Sequence, residues 1–274
     1  MRRLLACILP LIVYTGCDMM HQEMEVELPP HAPITFIECY LDPEAPLRAI
    51  ATNSLPFFDS LEISAADDLD IYLRQGQQEY KLQNGYAIDS VNRAAYNYQA
   101  DDTVRYQEGE VWELVVWRQE EEIARGKSTF LSKPQIKNIA YTISPDSLLS
   151  LAITLKDNPA TENFYRITIL QGEEFGYNRR TFEGIWTDQF AEGEELTLHI
   201  GSLVRVWATS VCIRVDHLEE GYYSYLRSIE KANEANYNPF AQPANVESTL
   251  QGTARGIFTT ISCTKEILVV DYGN

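Results

Sequence analysis

Strand-length runs with a two-residue period recur along almost the whole chain and leave little room for anything but sheets. Leu149, Leu151, Ile153 and Leu155 alternate with Ser150, Ala152, Thr154 and Lys156, and Tyr165, Ile167 and Ile169 alternate with Arg166 and Thr168. In Asp70-Ile71-Tyr72-Leu73-Arg74 the apolar Ile71 and Leu73 face one way, with Asp70 and Arg74 the other. Each register gives one dry face and one wet face, as an antiparallel sheet half open to solvent requires. Runs at 34–41, 47–54, 69–74, 79–83, 111–118 and 122–130 are rich in β-branched and aromatic residues and separated by turn chemistry. Their spacing predicts an immunoglobulin-like β-sandwich over 34–133. Lys133-Pro134 marks a boundary, and runs at 196–200, 203–215, 256–261 and 267–272 extend a second antiparallel β-rich domain over 134–274. That domain carries one amphipathic helix at about 219–235, with Tyr222, Leu226 and Ile229 on one stripe and Glu220, Arg227, Glu230 and Lys231 off it. The fold class is mainly β.

The amino terminus sets an address. Arg2-Arg3, an apolar run over 4–14 and the stop Thr15-Gly16-Cys17 read as a lipoprotein signal over 1–16 with Cys17 as the lipidated residue. The run is interrupted by Pro10 and followed by Asp18, whereas a spanning helix needs about 20 apolar residues. Tyr14 departs from the Leu usual at that place in lipoprotein signals and from the small residue of an ordinary secretory signal; a soluble secreted protein is the alternative. Residues 17–33 combine acids and prolines without periodicity and read as a tether. The expected location is the cell envelope, on the outer membrane and facing outward.

The formal charge of -18 becomes -20 when Arg2 and Arg3 leave with the signal. Such a surface repels phosphate backbones and anionic headgroups, so nucleic acid is excluded as a partner and membrane attachment falls to acyl chains. Three cysteines remain beyond Cys17, namely Cys39, Cys212 and Cys263, enough for one disulfide with one thiol left over. Small buried apolar side chains are the first reading. A Cys212–Cys263 bridge is the second.

Sequence motifs that carry chemistry are nearly absent. Arg125-Gly126-Lys127-Ser128 imitates the end of a phosphate-binding loop, but Glu121 stands where that loop needs Gly. No nucleophile-elbow or zinc-protease pattern is present, and the four histidines have no ligand spacing. No cofactor or resident metal is expected. Among acidic clusters, Asp67, Asp68 and Asp70 are the group to assay for calcium, against a reading as solvated charge. Trp112, Trp117 and Trp207 sit in strand patterns and read as core, whereas Tyr96, Tyr98, Tyr177, Tyr222, Tyr223 and Tyr237 read as loop or helix aromatics able to meet a ligand. In Tyr237-Asn238-Pro239-Phe240, proline fixes the backbone and Phe240 offers an anchor, either pinning the helix to a sheet or docking a partner.

The run from Asn163 to Ile167, Thr187-Asp188-Gln189-Phe190, Tyr222 to Leu226, Asn238 to Pro243 and Gly252 to Phe258 resemble a family of Bacteroidetes lipoproteins catalogued as domain of unknown function 4249. This chain lacks the Gly usual after the family's first strand motif, having Cys39 and Tyr40, and thins a Gly-rich segment to Gln251-Gly252-Thr253-Ala254-Arg255-Gly256. The resemblance implies an N-terminal sandwich, a β-rich C-terminal domain and a TonB-dependent outer-membrane receptor as partner. The expected function is a non-enzymatic accessory or ligand-binding lipoprotein beside such a receptor, its ligand a small molecule, peptide or glycan. A sandwich adhesin or structural surface protein is the alternative, followed by an exported hydrolase with an unobvious site.

Overall fold

The computed structural model describes residues 32–43, 45–56, 63–89, 94–172, 179–189, 193–207, 210–237 and 245–270, with the backbone alone given at 202–204 and 236–237. Cys17, the signal, nearly all of the tether, Tyr177 and Asn238, Pro239 and Phe240 lie outside them. The strands are β1 (Thr35–Leu41), β2 (Pro46–Asn53), β3 (Ser64–Ala65), β4 (Leu69–Gln75), β5 (Gln78–Asp89), β6 (Ala94–Thr103), β7 (Val111–Arg118), β8 (Glu121–Thr129), β9 (Ile136–Ile143), β10 (Leu148–Lys156), β11 (Phe164–Gln171), β12 (Arg179–Thr187), β13 (Glu195–Arg205) and β14 (Ser210–Leu218). The helix α1 (Glu220–Tyr237) follows, then β15 (Gln251–Gly252), β16 (Arg255–Thr260) and β17 (Ser262–Val269). Mainly β with one helix is the observed class, and every pairing except β1 with β16 is antiparallel.

The first core is one long sheet folded over on itself. Strand β5 makes the corner: residues up to Leu82 pair with β4, and from Gln83 onward it pairs with β6, with a bulge between Asn84 and Ala87. Ile37, Cys39 and Ala49 on one half thereby face Ile71, Leu73, Leu114 and Val116 on the other. Burial on β4 alternates as its sequence predicts, Leu69, Ile71 and Leu73 going in. The boundary at Lys133-Pro134 separates this sheet from the next, but the chain comes back across it. After α1, β15 joins β8 and β16 joins β1, so residues 251–260 complete the first sheet.

The second core lies between a three-stranded sheet, β13-β10-β9, and a four-stranded one, β12-β11-β14-β17. Leu149, Leu151, Ile153 and Leu155 of β10 all point into it, meeting Ile167 and Ile169 of β11 and Ile213 and Val215 of β14. On β11 the expectation of one wet face fails. Phe164, Thr168 and Leu170, on the face opposite Ile167, are also buried, because α1 and the first sheet cover that side. Phe164 belongs to a third cluster with Leu218, Tyr222, Tyr225, Ile257 and Ile261. Both sandwiches and the helix lie within one contact unit, Pro33–Asn274.

The cysteine alternatives resolve against a bridge. Cys39, Cys212 and Cys263 are buried thiols. On β14 and β17, Cys212 faces Ile267 while Cys263 faces Asp216, so the two thiols stand four residues apart along the ladder. At about 3.3 Å per residue that separation exceeds the Cα reach of a disulfide.

Candidate functional site

A cleft of about 500 Å³ opens between the outer face of the first sheet, the outer face of the β11–β14 sheet and helix α1. Register explains its floor. On β14, Arg214 and Asp216 are two residues apart and so share a face; across the ladder Arg166 sits opposite Asp216, and Thr168 opposite Arg214. Lys265 of β17 is the next neighbour of Arg214 on the other side. The residues that look like a wet face in sequence are thus a single charged patch turned toward another sheet.

Asp216 is completely buried. Its carboxylate accepts Arg166 Nε at 2.8 Å and Nη2 at 2.7 Å, and Arg214 Nε at 2.7 Å. Burial pushes its pKa up, but the two guanidiniums outweigh burial and hold it below the usual carboxylate range. Arg166 Nη1 also donates to the Tyr222 hydroxyl at 2.6 Å. Arg214 Nη2 reaches Asp42 Oδ2 at 2.8 Å, an ion pair from the second sandwich to the end of β1.

From α1, Tyr222 enters this cleft with its ring centroid 5.7 Å from that of Tyr40. Burial pushes the Tyr222 hydroxyl up to about 12 against the pull of Arg166, so it stays protonated at neutral pH. On the first sheet, Arg48 pairs with Asp89 at 3.1 Å and lies 4.3 Å over the Tyr96 ring. Beside Tyr96, the Asn97 side chain accepts the Ala51 N–H at 2.8 Å and donates to the Ala51 carbonyl at 2.9 Å, an oxygen that also accepts the Ala66 N–H. Glu219, just before α1, accepts the Thr129 N–H at 2.9 Å and the Ser128 hydroxyl, fastening the helix start to β8.

The structure sorts the sequence candidates. Tyr222 lines the cleft, whereas Tyr223 stacks on Phe164 at 4.6 Å and packs in the third cluster. Tyr237 is the last residue of α1, with its side chain outside the described residues, as are Asn238, Pro239 and Phe240. Tyr96 and Tyr98 are strand residues of β6 and both are buried, correcting their loop assignment; Asn and Asp in β6 weaken its sequence pattern. Trp112 is core as expected, but Trp207 is 45% exposed beyond the end of β13. The calcium candidates diverge: Asp67 accepts from Asn84, Asn97 and Tyr86, Asp68 pairs with Arg118 and Asp70 with Lys81. Among the described residues no group of three or more His, Cys, Asp or Glu side chains is placed to hold a metal ion. Arg166 and Arg214, which line the cleft, and Asp216, buried beneath them, are not singled out by the sequence. Their one sign there is charge at alternating positions inside strand runs.

A second hollow, about 250 Å³, is lined by residues 157, 159–162, 188 and 189. Asn163 Nδ2 bridges Asp157 Oδ1 at 3.3 Å and Asp188 Oδ2 at 2.7 Å. Burial, the Asp188 charge and a hydrogen bond shared with Asp188 all raise the Asp157 pKa. A carboxyl whose folded pKa is raised above the unfolded value of about 3.9 contributes stability at low pH that is lost as pH rises through the folded pKa. Asp157→Asn puts an amide where the shared proton sits. Thermal melts from pH 4 to 8 are expected to show the wild type losing ground to this variant as pH rises; parallel curves would show that the pair holds no proton.

A family model described as Domain of unknown function (DUF4249) matches residues 21–267. No curated protein matches the chain. Solved structures similar to it include a cytokine receptor complex, crystal form 1A, at 9% identity, covering 68% of this chain and 86% of that one with a TM-score of 0.24. The FN1–FN3 domains of chicken CNTN1 are 6% identical, covering 68% of this chain and 61% of that one, also at a TM-score of 0.24. Scores this low carry no argument.

Proposed function

The chain belongs to the family described as a domain of unknown function, DUF4249, and from that premise we propose that it is an outer-membrane-anchored, outward-facing lipoprotein working beside a TonB-dependent receptor. It binds rather than catalyses, holding or passing on a ligand at the cleft between its two sandwiches. The observation that carries this reading is the cleft itself, about 500 Å³ and walled by two sheets and a helix, a size suited to a small ligand. Its ionisable groups support binding over chemistry. Asp216 is held charged by two guanidiniums and Tyr222 is held protonated, so neither is poised to exchange a proton near neutral pH. The receptor comes from the family resemblance, and the anchor from the Thr15-Gly16-Cys17 stop. Among the described residues no helix is long and apolar enough to cross a membrane.

Affinity purification of the tagged full chain under mild detergent tests the partnership. A barrel receptor is expected to accompany it, and its absence would favour a free-standing adhesin. Cys17→Ala is expected to move the protein from the membrane fraction to the soluble one; unchanged fractionation would overturn the lipid anchor.

A further inference from the structure

With Asp216 beneath it the cleft is close to neutral, in a chain that is strongly acidic as a whole. Five of the 22 lysines and arginines line it, Arg48, Arg166, Arg180, Arg214 and Lys265, against four of the 40 acids. The acids there already have donors: Asp42 has Arg214, Asp89 has Arg48, Glu183 has Arg180, and Glu38 accepts the Tyr40 hydroxyl at 2.9 Å. Arg166 and Arg214 are not used up in the same way. A guanidinium carries five N–H groups. Among the described residues Arg166 commits three of them, to Asp216 and Tyr222, and Arg214 commits two, to Asp216 and Asp42. Two N–H groups on Arg166 and three on Arg214 are left for solvent or a ligand, in a place where the backbone and Asp216 have fixed both side chains beforehand. Leu170, Leu226 and Ile261 add an apolar wall to the same cleft.

We propose that this cleft binds a small organic oxyanion, a carboxylate or phosphate ester with an apolar body. Its oxygens lie on the remaining N–H groups of Arg166 and Arg214, where planar guanidiniums match an oxyanion bidentately, and Arg180 and Lys265 attract it at the rim. Its body lies against Leu170, Leu226 and Ile261. The net charge of the chain repels anions, so retention depends on these fixed donors and not on a long-range field. The inference rests on the cleft being the ligand site.

Calorimetric titration of the full mature chain in detergent tests it, with phenyl phosphate, benzoate, benzamide and inorganic phosphate as probes. Phenyl phosphate or benzoate is expected to bind at least about tenfold more tightly than neutral benzamide. Inorganic phosphate is expected to trail phenyl phosphate; equal binding would remove the apolar body from the proposal. Arg166 and Arg214 support buried Asp216, so the diagnostic variant is the rim pair Arg180→Gln with Lys265→Gln. It is expected to weaken anion binding about tenfold, and because Arg180 also pairs with Glu183 the melting temperature is measured alongside to separate lost binding from lost fold. Benzamide binding as well as benzoate, no binding by any probe, or unchanged binding in the double variant would each overturn the oxyanion assignment. Receptor co-purification with the same double variant separates the two ideas: a retained complex leaves the receptor partnership standing whatever the titration gives.

Discussion

Gly256→Ala is expected to destabilise the protein by roughly 4 kcal/mol or more, the range reserved for backbone strain combined with a core disruption. Gly256 lies on β16 at φ +130°, and a Cβ built there falls 1.9 Å from the Ile37 carbonyl oxygen, 2.8 Å from its carbon and 2.9 Å from its nitrogen. Those are backbone atoms of the strand with which Gly256 is paired, so no rotamer change relieves the clash. Moving β16 away pulls on both sides of the sheet, because its next residue, Ile257, packs in the cluster under α1 while Phe258 fills the first core. Gly193 supplies the control, since it has φ +105° with nothing within 4 Å of its added Cβ. Gly193→Ala carries only the conformational cost, about 1–2 kcal/mol. Chemical denaturation of both variants decides the matter; equal losses would refute the clash. Gly252 is constrained in the same manner, at φ +117° with the Ile123 carbonyl oxygen 2.4 Å away. The glycines left in the thinned segment 251–256 are therefore the two at which the returning chain meets a neighbouring backbone.

How far the fold was legible follows from what each strand depends on. Leu149 to Leu155 could be read at once because one face of β10 meets the second core and the other does not, and the Tyr222-Leu226-Ile229 stripe identified α1 for the same reason. The run read as 203–215 divides into the end of β13 and the start of β14, and β17 begins at Ser262 rather than at residue 267; Ser and Thr carry that strand's start by pairing, not by hydrophobicity. Strands β6, β9 and β12 are not legible in sequence: β9 and β12 gain a partner from one side only, at the edge of a sheet, whereas β6 is an interior strand whose Asn and Asp residues blur its pattern. The cleft was hidden for a different reason. Arg166 and Thr168 were placed correctly on the polar face of β11, but whether a polar face meets water or another sheet depends on where residue 256 pairs, and that is with residue 37. No local pattern carries a contact across such a distance.

Asp216→Ala is expected to cost roughly 3–5 kcal/mol at neutral pH, because it leaves two guanidiniums facing each other with their shared carboxylate removed. Among the described residues, Arg166 and Arg214 then keep Tyr222 and Asp42 as side-chain partners. Asp216→Asn keeps the shape and one acceptor oxygen and is expected to lose less. The pH dependence identifies the source. A carboxylate whose folded pKa is lowered contributes stability that is present above its unfolded pKa, about 3.9, and is lost as pH falls through the folded value. The gap between wild type and Asp216→Ala, measured by denaturant unfolding, is therefore expected to hold from pH 5 to 8 and to narrow in strong acid, opposite in sign to the Asp157 effect. A gap that does not change with pH would mean that lost packing, not charge, sets the cost. Replacing all three groups, Arg166→Met with Arg214→Met and Asp216→Leu, removes the fully buried carboxylate together with both guanidiniums, leaves only the partly exposed Asp42 of the network, and is expected to recover much of the stability, as apolar substitutes for buried ion networks do. If the oxyanion assignment is right, this stable variant no longer binds benzoate. A recovered fold with lost binding is the result that assigns the cluster to recognition rather than to folding, and a triple variant that still binds benzoate would assign it to folding alone.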